Sequence, residues 1–333
     1  MEIITTDKAL IANIRELLNN ARARVSNFVN VELLQTYFEI GKLINEYEIA
    51  NPKEYGKGGL LNLSKALTKE FGKGFSRTNI HYMKSFYLYK QNFQTVSEKL
   101  SWSHYCELLD ISDESARKFY EIECENSRWS FRELKRQIDS SLFERLLLTS
   151  GSDKQQKLLE LSQVGQLLKQ PQDIIKDPYV FEFLGLPEKH VLKETKLEKI
   201  LGARMKDFML ELGKGFMYVG SQQRITLGNT HNFVDLVFYN KILKAYVLID
   251  LKKGKFKHEN IGQMNTYLNY YETEINEQGD TKPIGIILCA DKNEIEVEYA
   301  IKGVSANIFA SKYSFVLPDK EKLIAELSKA LKP

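Results

Sequence analysis

The sequence predicts an α+β protein, in which a helical N-terminal part is followed by a mixed sheet flanked by helices. Apolar residues recur at steps of three and four through the first 150 residues, as they do on one face of an α-helix. From about residue 177 the apolar segments become short, β-branched or aromatic, and bounded by Gly, Asn, Lys or Asp, which is typical of strands. A length of 333 residues favours two domains over one.

The N-terminal part contains a candidate helix-turn-helix unit. Two predicted helices, residues 60–71 and 76–93, are joined by a glycine-containing turn. Ser76 is a suitable N-cap for the second of them. Arg77 and Asn79 would then stand at the start of a recognition helix and contact DNA. The alternative is a helical hairpin with a purely structural role.

The domain bounds follow from the same patterns. Helical periodicity over 8–50 and again over 101–149 places a helical domain at residues 1–150. The predicted linker is 151–176, because residues 150–180 are polar, with Ser, Gln and Gly early and PQDIIKDP later. The sheet-containing domain then spans residues 177–333.

The C-terminal part alternates helices with strand candidates. Helices are predicted at roughly 194–213 and 258–273, and a charged helix, 319–331, closes the chain. The strand candidates are FMYVG, QRITL, NFVDLVFY, AYVLIDLK, PIGIILCA and IFASKYSFVLP. This order predicts a central mixed sheet with helices packed against it.

Composition argues against several classes of protein. Charged residues make up 27% of the chain, and no stretch has the roughly 20 apolar residues needed to cross a bilayer. The N-terminus lacks the basic and apolar regions of a signal peptide, so we expect a cytoplasmic protein with no membrane partner. The three cysteines match neither a zinc spacing nor a disulfide framework. A net charge of +3 neither requires nor excludes a nucleic-acid partner.

Two acidic residues stand in strand candidates that are otherwise apolar. Asp235 lies in NFVDLVFY and Asp250 in AYVLIDLK, and the short connection between these segments predicts a β-hairpin. Because side chains alternate between the faces of a strand, Asp250 and Lys252 point the same way. A carboxylate in such a strand costs free energy unless something pairs with it.

This arrangement has a direct chemical use. Mg²⁺ or Mn²⁺ takes oxygen ligands, so we predict that Asp235, Asp250 and the main-chain carbonyl of Leu251 bind one. The metal would lower the pKa of a water molecule and stabilise charge on a phosphate. Lys252 would orient that water or neutralise the transition state. The competing interpretation is a structural ion pair among the three side chains, and the D-x14-D-x-K spacing alone does not choose between them.

Neighbouring polar residues extend the candidate site. Glu211, near the end of the helix before the sheet, would add a carboxylate to the metal or be a surface residue. Gln263, one turn into the next helix, would orient the water, bind the scissile phosphate, or be a polar residue of the helix start. The basic residues Lys253, Lys255 and Lys257 surround the second aspartate and suit a phosphodiester backbone, although a solvated basic turn is the alternative.

The chain resembles the YhcG-type family of bacterial nucleases, which join an N-terminal helical domain of unknown function to a C-terminal PD-(D/E)XK domain. The resemblance covers nearly the whole chain. It rests on LLQTYFEIGKLINEYE, LSKALTKEFGKGFSRTNIHYMKSFY, LSWSHYCELL, RKFYEIECENSRWSFRELKRQI, DPYVFEFLGL, FMLELGKGFMYVGSQQRI, FVDLVFYN, VLIDLKKGKFKHENIGQMNTYLNYY and IGIILCADK.

The resemblance implies a restriction-endonuclease-like fold and a catalytic set. Glu211 would be the helix carboxylate, Asp235 and Asp250 the metal-binding acids, Lys252 the catalytic lysine and Gln263 the helix glutamine of the family. The third motif reads Asp-Leu-Lys, an allowed variant of the (D/E)XK element.

The sequence departs from the family pattern at two places. Val234 replaces the proline that precedes the first aspartate in the name of the motif, which leaves the metal geometry unchanged. His231 and Asn232 stand where relatives often have acidic or aromatic residues, and this difference bears on the approach of the substrate.

Together the residues and the resemblance predict a Mg²⁺- or Mn²⁺-dependent endonuclease that acts on DNA, with RNA not excluded. The helical domain would recognise the substrate or join chains into a homo-oligomer. The resemblance also implies a role in bacterial defence, restriction or DNA processing. The alternative function is a catalytically silent module that binds nucleic acid or a partner on the same fold.

Overall fold

The computed structural model describes residues 3–54, 58–91, 93–149, 154–188, 192–292, 297, 300 and 306–330. The chain forms two compact units, Met1–Leu134 and Lys135–Pro333. The first unit contains α1 (Ile3–Ala50), α2 (Pro52–Glu54), α3 (Leu60–Phe71), α4 (Arg77–Lys90), α5 (Trp102–Leu109) and α6 (Glu114–Ser127), and the boundary falls within α7 (Phe131–Asp139). No helix of the described ranges is long and apolar enough to cross a membrane.

The first unit is built around the second half of α1. Phe38 is buried there and makes an edge-to-face contact with Phe86 of α4, with ring centroids 6.2 Å apart. Gly41 allows the two helices to approach closely, because a Cβ at this position would lie 2.0 Å from the carbonyl oxygen of Met83. A side chain at Gly41 would therefore push α4 away from α1.

The candidate helix-turn-helix unit consists of α3 and α4. Its two helices are joined by the 3₁₀ turn Lys73–Phe75. Ser76 caps α4 as predicted, since its hydroxyl accepts a hydrogen bond from the main-chain N–H of Asn79 at 3.2 Å. Whether this unit contacts DNA stays a prediction.

The second unit contains a sheet with helices on both faces. Its helices are α8 (Leu142–Thr149), α9 (Lys154–Val164), α10 (Glu194–Ala203), α11 (Met205–Leu212), α12 (His258–Tyr270) and α13 (Lys320–Ala330). Its strands are β1 (Tyr179–Val180), β2 (Phe216–Leu227), β3 (Thr230–Asn240), β4 (Ala245–Lys255), β5 (Ile284–Asp291) and β6 (Ile308–Ser314). A π-helical turn, Tyr271–Ile275, follows α12, and 3₁₀ turns occupy Pro171–Ile174 and Glu182–Leu184.

Several elements differ from their predicted extents. The segment 151–176, expected as a polar linker, contains helix α9, in which Leu161 is buried. The single helix expected over 194–213 is two helices, because the backbone leaves the helical conformation at Arg204. The two strands expected between 216 and 227 are one strand, β2, with an irregular register between Tyr218 and Gly220. The bounds 1–150, 151–176 and 177–333 for the predicted domains stay predictions.

The strands of the described chain form a mixed sheet in the order β1-β6-β5-β4-β3-β2. Strands β2, β3 and β4 are antiparallel neighbours, whereas β4, β5, β6 and β1 are parallel. The predicted hairpin between NFVDLVFY and AYVLIDLK is therefore confirmed. Alternate residues of β4 face opposite layers: Val247 and Ile249 pack against α10 and α11, and Leu248 packs against α12.

A buried carboxylate joins α7 and α8 to the sheet. Glu211 of α11 is 0% exposed and accepts hydrogen bonds from Arg145 of α8 at 2.5 Å and Arg136 of α7 at 3.2 Å. The same carboxylate accepts from the main-chain N–H of Val180 in β1, and the ammonium of Lys176 donates to the Glu211 carbonyl. A buried charge is tolerated because it is paired and hydrogen-bonded on every side.

The charged cluster around Glu211 predicts which fragments of the second unit can fold. A fragment of residues 177–333 lacks Arg136, Arg145 and Lys176, so the carboxylate of Glu211 would be buried without its cations. Breaking a buried pair costs about 3–5 kcal/mol, a large part of the stability of a typical domain. We expect the fragment 135–333 to melt cooperatively and 177–333 to show none of this cooperativity, as followed by circular dichroism on heating. Equal melting temperatures for the two fragments would contradict this.

Candidate active site

The hairpin of β3 and β4 brings the two predicted aspartates together. Leu236 pairs with Ile249, so the next position of the same register sets Asp235 across from Asp250. One oxygen of Asp235 accepts the main-chain N–H of Leu251 at 2.7 Å. Because the N–H and C=O of a residue in an extended strand point toward the same neighbouring strand, the carbonyl of Leu251 is also directed toward β3.

Asp250 is 2% exposed and stands beside Lys252. Its Oδ2 lies 2.7 Å from the Lys252 ammonium as an ion pair, but among the described residues this oxygen has no partner in hydrogen-bond geometry. Burial raises the pKa of Asp250, and the carboxylate of Asp235 raises it further, against the opposing effect of Lys252. Burial also raises the pKa of Asp235. In the described part of the chain, the two adjacent carboxylates of Asp235 and Asp250 therefore have only one ammonium, that of Lys252, to balance their negative charge.

Lys252 is held in place from the other side by α12. Its ammonium donates to Gln263 at 3.4 Å, and the Gln263 amide donates to the hydroxyl of Tyr267 at 2.5 Å. Tyr267 in turn donates to the carbonyl of Phe233 in β3 at 3.1 Å. Burial opposes the charged form of Lys252, but the carboxylate of Asp250 outweighs it and the pKa of Lys252 is raised. Lys252 is therefore a cation at neutral pH.

A further acid, Glu198 of α10, lies close to Asp235, and the sequence analysis did not predict it. Glu198 is 9% exposed, and its carboxylate accepts the side-chain amide of Gln222 at 2.8 Å. The same amide nitrogen donates to Asp235 at 3.0 Å, so Gln222 bridges the two acids. Gln222 has a positive φ of 49°, which is uncommon for a residue other than glycine. Burial raises the pKa of Glu198.

A signal for Glu198 was present in the sequence. The residue is one position from Leu197 and three from Leu201, which are both buried against the sheet. An acid at the edge of the apolar face of the helix that precedes the sheet is directed toward the sheet rather than toward solvent. Gln222 had no such signal, because its position depends on the irregular backbone of β2.

Glu211, the predicted helix carboxylate, lies in different surroundings. None of its described hydrogen bonds or ion pairs involves Asp235 or Asp250, and both of its oxygens are occupied by Arg145, Arg136 and a main-chain N–H. Burial alone would raise the pKa of Glu211, but the surrounding cations lower it to about 2. Its geometry favours a structural role, because no oxygen of Glu211 is left for a metal.

The basic residues border a cleft beside Lys252. The cleft has a volume of about 540 Å³ and is lined by Glu194, Lys252, Lys253, Gly254, Lys255, Lys257, Glu259, Asn260 and Gln263. Lys255 and Lys257 are 82% and 69% exposed at their side chains, and their acidic neighbours Asp291 and Glu259 are also exposed. Exposed pairs of this kind are weak, so the lysines stay available to a polyanion.

Of the two residues predicted to contact DNA in the first unit, one has a role within the protein. The Asn79 amide donates to the carbonyl of Gly74 at 2.5 Å and accepts from the Trp102 indole at 2.8 Å. Both ends of this amide are therefore used to hold the turn and α5. Arg77 is exposed.

The residues at the hairpin suit a divalent cation, although they do not form a complete cage. Within the described ranges, no three His, Cys, Asp or Glu side chains converge as a metal site. Asp235, Asp250 and the Leu251 carbonyl offer the oxygen ligands that Mg²⁺ prefers, and Mg²⁺ commonly keeps several waters. The two adjacent carboxylates with the single ammonium of Lys252, as the described residues place them, are the feature of this structure that such a cation would neutralise.

The fold and the family comparison define the C-terminal part as a PD-(D/E)XK nuclease domain. Residues 172–332 match the family model of the YhcG PDDEXK nuclease domain, and residues 13–145 match that of the DUF1016 N-terminal domain. The chain is also 35% identical over 345 aligned residues to the "Putative nuclease YhcG" of Escherichia coli (strain K12), which covers 93% of this chain and 91% of that protein. The chain therefore belongs to the YhcG family of nucleases, and the predicted family and fold class are confirmed.

Among solved structures, the chain is similar to the crystal structure of a repair endonuclease from Pyrococcus abyssi. The two share 17% identity with a TM-score of 0.28, and the match covers 40% of this chain. This chain spans half of that structure's chain. A likeness this distant supports nothing further about the site.

The buried cluster around Glu211 predicts a dependence of stability on pH. The folded pKa of about 2 is below the ordinary 4.5, so the contribution to stability is complete above pH 4.5 and is lost as the pH falls toward 2. Glu211→Gln should lower the free energy of unfolding by about 3–5 kcal/mol near neutral pH. In urea denaturation, the difference from the unmodified protein should shrink as the pH is lowered through this window.

The exposed pair of Glu272 and Lys282 provides the control, since Glu272→Gln should change stability little at any pH. A Glu211→Gln protein as stable as the unmodified chain near neutral pH would show that the cluster is not what holds α7 and α8.

Proposed function

We propose that the protein is a metal-dependent endonuclease that hydrolyses phosphodiester bonds in DNA, with its active centre at the end of the β3–β4 hairpin. The observation that carries this proposal is the pair of adjacent carboxylates, Asp235 and the buried Asp250, with a single ammonium among the described residues, that of Lys252, 2.7 Å from Asp250. A purely structural ion pair leaves the second carboxylate unneutralised, since one ammonium faces two acids. A divalent cation supplies the missing charge.

Each residue of the candidate site has a distinct role in this proposal. Asp235, Asp250 and the Leu251 carbonyl would hold Mg²⁺ or Mn²⁺, and such an ion would supply positive charge at the phosphate and lower the pKa of a water molecule. Lys252, charged at neutral pH, offsets the charge that develops on the phosphate and is poorly suited to remove a proton from water. Gln263 keeps the Lys252 ammonium in position through the contact with Tyr267.

Glu198, rather than Glu211, takes the place of the helix carboxylate in this proposal. Its carboxylate shares the Gln222 amide with Asp235, so it lies close to the hairpin acids. Burial raises the pKa of this carboxyl, and a metal bound beside it would favour the ionised form. Glu211 keeps the fold that presents the others.

The basic cleft would receive the sugar-phosphate backbone. Lys253, Lys255 and Lys257 border it next to Lys252 and contribute charge without reading a sequence. We infer that the N-terminal unit recognises DNA or assembles chains, with Arg77 as the exposed candidate contact. We also propose that the protein acts in the cytoplasm, in bacterial defence, restriction or DNA processing, which is the role that the resemblance implies.

The hairpin acids can be tested by substitution. Asp250→Ala should abolish cleavage of DNA in Mg²⁺ or Mn²⁺ and, in calorimetry, remove the Mn²⁺ binding that depends on Asp235 and Asp250. Asp291→Ala is the matched control, because Asp291 ends the neighbouring strand β5 and is 52% exposed. The proposal fails if the unmodified protein cuts no double-stranded, single-stranded or branched DNA and no RNA, and binds no Mn²⁺; Mn²⁺ binding without cleavage would favour the silent module.

The assignment of Glu198 has its own test. Glu198→Gln should lower the rate of DNA cleavage by roughly 10- to 100-fold, the usual effect of removing a group that supports a metal site, with little change in melting temperature. Glu272→Gln, in the exposed pair with Lys282 and outside the cleft, should keep nearly full activity. A Glu198→Gln protein with full activity would show that Glu198 is not the helix carboxylate of the active site.

A further inference from the structure

The first half of α1 leaves its apolar side chains uncovered. Between residues 10 and 29, every large apolar side chain is between 46% and 68% exposed. Further along the same helix, Leu34, Phe38 and Ile44 are at most 5% exposed. The helix therefore packs against its own unit from Leu34 onward, and the residues before it form an apolar stripe exposed to solvent. Such a stripe marks an interaction surface.

The stripe has the repeat of a coiled coil. Apolar residues alternate at steps of three and four, which is the a and d pattern of a heptad: Ile11, Ile14, Leu18, Ala21, Val25 and Phe28. The opposite face is polar, as at Asn13, Asn20 and Asn27, which are spaced seven apart. The next a position is Glu32, so the repeat stops just where the helix begins to bury side chains in its own unit.

The described part of the first unit leaves this stripe uncovered, because the stripe lies far along α1 from the packed half of the helix. α1 is one continuous helix with a rise of about 1.5 Å per residue, so Ile11 lies roughly 40 Å along the axis from Phe38. In proteins, most of the stability of a helix comes from packing of its apolar face rather than from helix propensity. A partner helix that buries the stripe would stabilise it.

We propose that the partner is a second copy of this chain, in a parallel two-stranded coiled coil of residues 10–29. Parallel pairing sets each g position beside the following e position of the other copy. Leu10 then meets Arg15, and Leu17 meets Arg22, so an arginine stem covers an apolar side chain in each case. The third pair, Arg24 with Val29, is of the same kind.

The charges disfavour the antiparallel alternative. In the antiparallel register that pairs all six core positions, Leu18 faces Ala21 of the other copy and e positions meet e positions. Arg15 would then lie beside Arg22 of the partner copy, twice in each dimer. Like charges at these positions are destabilising, whereas the parallel arrangement brings none together.

Light scattering of the full chain, coupled to size-exclusion chromatography, tests the dimer. We expect twice the 38.6 kDa of one chain. Leu18→Glu combined with Val25→Glu should return the mass to that of one chain while the rest of the protein keeps its cooperative melting transition, since both side chains are exposed in the single chain. Ile324→Glu, a 45% exposed position of α13, is the control and should stay dimeric.

Cross-linking tests the orientation independently of nuclease activity. Under a mild oxidant, Leu18→Cys alone should join two chains in the parallel dimer, while an antiparallel dimer would need Leu18→Cys together with Ala21→Cys. The unmodified chain is the control, because Cys106 is partly exposed. A single-chain mass at high concentration, a dimer that survives the double Glu variant, a larger assembly, or cross-linking by the double cysteine variant alone would overturn the proposal.

Discussion

The second unit depends on one buried carboxylate and the cations that surround it. Glu211 is fully enclosed, and its charge is matched by Arg145 and Arg136 from two helices that precede the sheet by some distance in sequence. Moving a carboxylate out of water is costly, so any arrangement that separates these groups is strongly disfavoured. The pairing therefore selects one position of α7, α8 and β1 relative to α11 in this unit, and α11 leads directly into β2.

The chemistry of the candidate site depends on the opposite imbalance. At Glu211 the cations exceed the acids, and the pKa of its carboxyl is lowered, whereas at the hairpin Lys252 faces Asp235 and Asp250 and their pKa values are raised. Glu211 and Asp250 are both buried in the same unit, so burial does not distinguish them. What distinguishes them is whether the protein supplies enough positive charge of its own. A place where it does not is suited to bind a cation or a proton.

The local part of the site was accessible from sequence, and the parts that depend on other segments were not. Asp235, Asp250 and Lys252 lie on adjacent strands joined by a short turn, so strand alternation and hairpin pairing suffice to bring them together. Gln263 was also accessible from sequence, because it lies on the next helix, which must pack on the sheet. Glu211 and Glu198 lie on the same predicted helix, and both border its apolar face. Without the break at Arg204 and the partners of each carboxyl, the sequence offered no way to choose between them.

The sequence by itself determined the α+β class, the β3–β4 hairpin with its acids and lysine, and the membership of the chain in the YhcG family. The class and the hairpin follow from side-chain periodicity and from pairing across a short turn, and the family follows from a resemblance that covers nearly the whole chain. Only the tertiary structure decided that Arg136 and Arg145 enclose Glu211, and that Gln222 links Glu198 to Asp235. The reason is physical: whether a carboxylate serves the fold or a site depends on the charges and donors that distant segments bring within about 3 Å, and no local pattern encodes those.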